Sequence, residues 1–272
     1  MKAKNPSQLF AEFMEYGRLK SIKVIDCHTH MSGIGEASTP VCEPADCIRL
    51  MDEENIESIW CSSHIDIYHI SEEVNAATKQ LVRDYPGRIY GYYVFNPNRK
   101  EQYLKDIDIV LKNDGFIGIK ILPNYHNYSL DGPGYEEVLA FADEHALPVL
   151  CHTWGDKPQN SVKEVANIIP RYKNLFFIMG HSAPGDLDGS IETAKKHENL
   201  YLDICDIHRH SGIIKKMVNS VGSERILFGT DMPWYDPNYA IGSVLCADVS
   251  DDDKRNILHN NAIKLLARSK KK

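Results

Sequence analysis

Short apolar runs alternate with longer amphipathic stretches along the whole chain. Runs apolar at nearly every position, and rich in β-branched or aromatic residues, fall at 22–25, 58–61, 89–94, 116–121, 148–151, 175–179, 200–204 and 226–228. Each predicts a strand buried on both faces. Between them, apolar positions recur at helical spacing over 72–84, 101–112, 135–145, 162–169, 190–197, 212–221 and 251–267. Leu9, Phe10, Phe13 and Met14 mark one further helix ahead of the first strand. Punctuation agrees in places: Ser71 before Glu72 and Glu73 reads as an N-cap, and Gly87 follows a helix end at Tyr85-Pro86.

Fully apolar strands alternating with helices describe a parallel sheet covered by helices. Two closures are open to such a chain: a (β/α)8 TIM barrel or a doubly wound open sheet. Eight strands in 272 residues favour the barrel, which takes about 250. No GxGxxG follows the first strand, so the dinucleotide-binding sheet loses its main support. Without a linker, repeat or composition step, 1–272 is predicted as one domain with an extra N-terminal helix.

Composition narrows the partners. With 43% hydrophobic and 25% charged residues, the chain has an ordinary globular balance. A net charge of −7, with a basic cluster only at Lys270–Lys272, argues against nucleic acid or an anionic membrane as partner. No apolar run approaches the roughly 18 residues of a membrane span, and the first twenty residues lack a signal-peptide core. The seven cysteines contain no CxxC pair. Cys27, Cys61, Cys151 and Cys205 sit in strand runs as small buried hydrophobes, and a reducing cytoplasm is the expected setting. A small molecule is the expected partner, with a homo-oligomer left open.

Candidate chemistry collects where strands end. His28 and His30 follow the first strand, His152 ends the fifth, His181 follows the sixth and Asp231 the eighth. In a barrel these strand ends surround one face, where active sites lie. Residues two apart in extended chain point to the same side, so His28 and His30, with Cα atoms about 6.7 Å apart, can grip one ion. Imidazole and carboxylate suit Zn2+. A lone strand-end histidine is ordinarily a hydrogen-bonded core residue. Five ligand-type groups at four strand ends outweigh that reading.

The segments VIDCHTH, GFIGIKILP, PVLCHTW, GHSAPG and RILFGTDMPW, in this order across nearly the full chain, resemble the amidohydrolase superfamily. Within it they are similar to the amidohydrolase-related branch that includes aminocarboxymuconate-semialdehyde decarboxylase-like enzymes. The resemblance implies a distorted (β/α)8 barrel holding one or two divalent ions, usually Zn2+. It places His28, His30 and Asp231 on the metal, with His152 completing a one-ion site and His181 beside it as acid, base or carbonyl-polarising group. Lys120 stands where two-ion members carry a carboxylated lysine; unmodified, it would hold a substrate carboxylate. One ion is the branch's usual number.

The reaction implied is hydrolysis of a small amide, ester or lactone by metal-activated water, Asp231 taking the water's proton. The alternative is decarboxylation of a small unsaturated or aromatic acid, with Lys120 or Arg209 holding the carboxylate. A non-catalytic metal-binding barrel is the third reading. Trp154 and Trp234 are the expected pocket walls. His64, Tyr125, His126, His208, Arg209 and Tyr235 lie in further post-strand loops, while His69, His145, His197 and His259 are expected on solvent faces of helices.

Overall fold

The computed structural model describes residues 7–31, 43–68, 72–112 and 115–269, the side chains of 208 and 269 excepted. His69, Ser71 and Lys270–Lys272 lie outside these segments. Eight parallel strands form one sheet in sequence order: β1 (Val24–Thr29), β2 (Ile56–Cys61), β3 (Ile89–Phe95), β4 (Phe116–Ile121), β5 (Pro148–His152), β6 (Phe176–Gly180), β7 (Leu200–Asp203) and β8 (Ile226–Leu227). Every strand residue except Glu57 and Tyr90 is buried, as the apolar runs require.

β8 is only two residues long, but the chain beyond it runs alongside β1 and closes the barrel. Cys27 N–H donates to the Phe228 carbonyl at 2.8 Å, Asp231 N–H to the His28 carbonyl at 2.8 Å, and His30 N–H to the Met232 carbonyl at 2.7 Å. Thr29 and Met232 form a parallel bridge. This closure is what sets Asp231 beside the two histidines of β1. The barrel is distorted, with register breaks between β1 and β2 and between β3 and β4.

Trp60 and Tyr92 meet edge to face, and pack in one cluster with Leu150, Ile178, Leu227 and the C-terminal residues Ala262, Leu265 and Leu266. The outer core lies between the strands and the helices around them. The N-terminal helix Gln8–Tyr16 is capped by Ser7 and stopped by Gly17 in the left-handed region, φ 70°.

Several helices depart from the sequence pattern. The one expected from residue 72 begins at Ala76, after Asn75 at φ 54°. The stretch 101–112 is broken into a helix at Lys100–Leu104 and a 3-10 segment at Ile107–Leu111. Helices at Pro44–Glu53 and Pro237–Cys246 were not marked by the pattern. In the first, only Cys47 and Met51 are fully buried, too narrow a stripe to stand out among its charges.

Candidate metal centre and catalytic cavity

β1 carries His28 inside the strand, fully buried, and His30 one residue past it, where it lines the cavity at the mouth of the barrel. The His28 Nδ1 atom lies 2.6 Å from a carboxylate oxygen of Asp203, at the end of β7. His30 Nδ1 lies 2.9 Å from the Ser62 carbonyl. A carbonyl can only accept, so His30 carries its proton on Nδ1 and leaves Nε2 bare. That bare nitrogen is 3.1 Å from Asp231 Oδ1, and His28 Nε2 is 3.6 Å from the same oxygen.

Two imidazole nitrogens converging on one carboxylate oxygen, each held from behind by a carbonyl or carboxylate, form a seat for a divalent cation. The Lys120 Nζ lies 2.8 Å from His28 Nε2. A second donor grouping shares two of these residues. One ligand atom each from His28, His181, Cys205 and Asp231 lies within 4.8 Å of the others. The expected His152 is outside that grouping; its Nδ1 faces His181 Nε2 at 3.1 Å.

The backbone is bent to present these groups. Asp231 has φ 63°, and His181, Ser182 and Ala183 form a run at 65°, 49° and 49°. Left-handed conformations cost non-glycine residues free energy and gather at functional sites. Here the surroundings hold them. Thr153 Oγ donates to the Gly180 carbonyl and accepts from Ala183 N–H, and Ser182 Oγ donates to the Asp203 carbonyl.

Burial dominates the electrostatics. It keeps His28 and His152 well below the usual imidazole range and brings His181 down to about 4. It also pulls Lys120 down to about 8, against the attraction of Asp231. Burial raises Asp203 to about 6. Asp231 goes the other way: burial opposes its charge, but the His30 ring against it and the neighbouring His181 and His28 hold it well below the carboxylate range.

Asp231 is thus an anion among buried imidazoles, lining a cavity of about 40 Å³. His30, His64, His152 and His181 line it with Ile67, Leu122, Tyr68, Tyr125 and Trp234. Trp234 donates from Nε1 to His64 Nε2 at 3.0 Å, and Tyr68 and Tyr125 meet edge to face at 5.7 Å.

Two expected pocket residues lie elsewhere. Trp154 stacks on the far side of His152, ring centroids 5.7 Å apart, and also touches His181, so it supports these rings and does not line the cavity. Lys120 is fully buried beside His28 and is likewise not part of the lining. His126 is buried near the Tyr135 hydroxyl. Arg209 pairs with Asp206, which also accepts from the Tyr235 hydroxyl. The helical histidines His145, His197 and His259 are partly exposed; His145 packs on Phe141 and His259 approaches Glu57.

Asp203, Ser62 and Cys205 escaped the sequence reading as members of the site. Asp203 lies inside the apolar run 200–204, one residue before its end, where a carboxylate was itself a signal. Cys205 was read only as a buried hydrophobe. Its Sγ lies 3.2 Å from His181 Nδ1.

The amidohydrolase family model matches residues 25–268, and the chain belongs to that family. It is 22% identical over 277 residues to the gamma-resorcylate decarboxylase of Polaromonas sp., covering 79% of this chain and 84% of that one. Among solved structures it is similar to 2,6-dihydroxybenzoate decarboxylase complexed with 2,6-dihydroxybenzoate, with TM-score 0.74 and 15% identity over 90% of this chain and 98% of the other. A 5-carboxyvanillate decarboxylase from Novosphingobium aromaticivorans, with manganese and 4-hydroxy-3-methoxy-5-nitrobenzoic acid, gives TM-score 0.73 and 14% identity over 91% and 96%. An uncharacterised TIM-barrel protein from Bordetella bronchiseptica gives 0.75 and 18% over 91% and 99%. At these identities the structural likenesses show the fold. Among the described residues, no helix is long and apolar enough to cross a membrane.

Proposed function

We propose that this protein is a metal-dependent decarboxylase of a small aromatic carboxylic acid. The observation that carries the reading is a ring-walled cavity with a single carboxylate, Asp231, in its lining. Tyr68, Tyr125 and Trp234, each nearly half exposed, carry flat faces suited to a planar ring, with Ile67 and Leu122 beside them. The rings must part to admit one, because the space they now enclose is about 40 Å³. The decarboxylases among its relatives act on acids of that shape by their names. Together these favour carbon–carbon cleavage over the hydrolysis of an amide, ester or lactone.

His28, His30 and Asp231 would hold the ion, which when bound supplies positive charge to anchor the acid's oxygens. Their nitrogen and oxygen donors accept Zn2+ or Mn2+. Asp203 and the Ser62 carbonyl fix the two imidazoles for that task. Asp231 Oδ1 faces the histidines, leaving Oδ2 to carry a proton.

An incoming carboxylate places a second negative charge beside Asp231 and raises its affinity for that proton. The proton passes to the ring carbon bearing the carboxylate, forming a C–H bond. The C–C bond then breaks, its electron pair returns to the ring, and CO2 leaves. Asp231 is reprotonated from solvent, and nothing is oxidised or reduced.

The test is a two-panel assay with protein loaded with Zn2+ or Mn2+. Hydroxybenzoic acids should be consumed with loss of their carboxylate, while aryl amides, esters and lactones should persist. Turnover of the second panel alone would overturn the reading in favour of a hydrolase.

A further inference from the structure

A cavity of about 40 Å³ has room for about three water molecules but not for an aromatic acid, so part of its cover has to move. Among the described residues the ring groups of that cover are Tyr68, Tyr125 and Trp234, and their attachments differ. Trp234 is held twice: Nε1 donates to His64 Nε2 at 3.0 Å, and the backbone N–H donates to the Asp231 carbonyl at 2.8 Å. His64 is itself buried, and its backbone N–H donates to the Met31 carbonyl at 3.0 Å. The next residue, Tyr235, donates from its hydroxyl to Oδ1 of the buried Asp206 at 2.6 Å. Swinging Trp234 aside would strip a buried imidazole nitrogen of its donor, a cost that protein interiors avoid.

Tyr68 and Tyr125 are held less firmly. Their rings meet edge to face at 5.7 Å, joining the segment after β2 to the segment after β4. The two hydroxyls share a hydrogen bond, but the residues are 43% and 46% exposed, so water can replace it. Tyr68 also lies 6.4 Å from the His64 ring, and Tyr125 lies 5.2 Å from the His152 ring. The backbone under both is anchored. Ile67 and Leu122 pack with Val94 in a small buried cluster. Tyr68 N–H donates to the His64 carbonyl at 2.9 Å, and His126 N–H to the Leu122 carbonyl at 3.1 Å. Parting these rings is therefore a rotation of two side chains, with no loop movement.

The geometry points to Tyr68 and Tyr125 as specificity-determining residues: together they form the entrance through which a planar ring reaches Asp231, with Trp234 as the fixed wall. The opening is limited to the space the two phenol rings vacate, because Ile67 and Leu122 beside them stay packed. Such an opening favours one planar ring over a fused pair. The acid as substrate rests on the decarboxylase reading; the entrance does not.

Stopped-flow association of 2-nitroresorcinol with the full-length, Zn2+-loaded protein tests this. The probe is planar, has no carboxylate to lose, and reports by quenching tryptophan fluorescence. Tyr68→Ala and Tyr125→Ala should each speed association about 2- to 10-fold, the rate equivalent of one lost ring–ring contact. Both changes remove the same contact, so the double variant should gain little beyond either one. Tyr68→Phe, which keeps the ring, should associate at the unmutated rate. The fused-ring 1-nitro-2-naphthol should gain more than the single ring in both alanine variants. Failure of 2-nitroresorcinol to bind, unchanged association in both alanine variants, gains that multiply in the double variant, or equal gains for the two probes would each overturn the proposal. Because neither probe is turned over, these outcomes are separate from whether the protein decarboxylates.

Discussion

His28 and Asp203 stand 175 positions apart in the chain, yet their side chains meet at 2.6 Å inside the barrel. The contact fixes the His28 ring and leaves its Nε2 toward Asp231. Second partners of this kind raise the basicity of a ligating imidazole, and their removal commonly costs 10- to 100-fold in metal affinity. Asp203→Asn should therefore weaken metal binding by about that factor, read by competition with a chromophoric chelator. An unchanged affinity would show that Asp203 serves only the fold.

Asp231 is asked to bind the ion and move the proton. Asp231→Asn keeps its shape but removes the charge that His30 and His28 face. Turnover should fall by roughly 10²- to 10⁴-fold, the usual contribution of a positioned acid or base. The far-ultraviolet circular dichroism should be unchanged. Full activity in this variant would remove Asp231 from the reaction.

Gly229 marks the tightest approach in the site. A Cβ there would stand 2.7 Å from the His28 Cβ and overlap the Asp203 carboxylate. Both neighbours are buried and hydrogen-bonded, so neither can withdraw freely. Gly229→Ala should destabilise the protein by about 1–3 kcal/mol and lower its metal content, measured by thermal unfolding and elemental analysis. Normal values of both would mean that β7 and β1 separate more easily than their contacts imply.

Acid should expose the neutral histidines. Burial brings His181 down to about 4, so the folded, metal-free protein binds fewer protons there than the unfolded chain from about pH 6.5 downward. The unfolded state gains protons first, and this group therefore lowers stability progressively as pH falls from 6.5 toward 4. Above 6.5 both states are neutral and the contribution vanishes. An NMR titration of metal-free protein should find His181 neutral until close to pH 4; protonation near 6.5 would contradict the buried setting.

The barrel was legible because its signal is local and repeated: every strand is a short apolar run, and a parallel sheet needs nothing subtler. His28, His30, His152, His181 and Asp231 stood out for the same reason, as polar groups ending such runs. Cavity lining was harder. Trp154 and Trp234 follow their histidine and aspartate at similar distances, but one folds behind His152 and the other over His64. Which way each turns depends on loops packed from other parts of the barrel. The roles of Asp203 and Cys205 depend on partners in β1 and after β6, contacts that chain spacing does not encode.

The central claim is loss of CO2 from an aromatic acid. Hydroxybenzoic acids labelled with 13C in the carboxyl group should be incubated with metal-loaded protein and the headspace gas analysed by mass spectrometry. The account predicts one 13CO2 for each acid consumed, with release abolished by chelation and in Asp231→Asn. Consumption of substrate with the label retained in the organic product, or no turnover of any aromatic acid with the metal site filled, would contradict it.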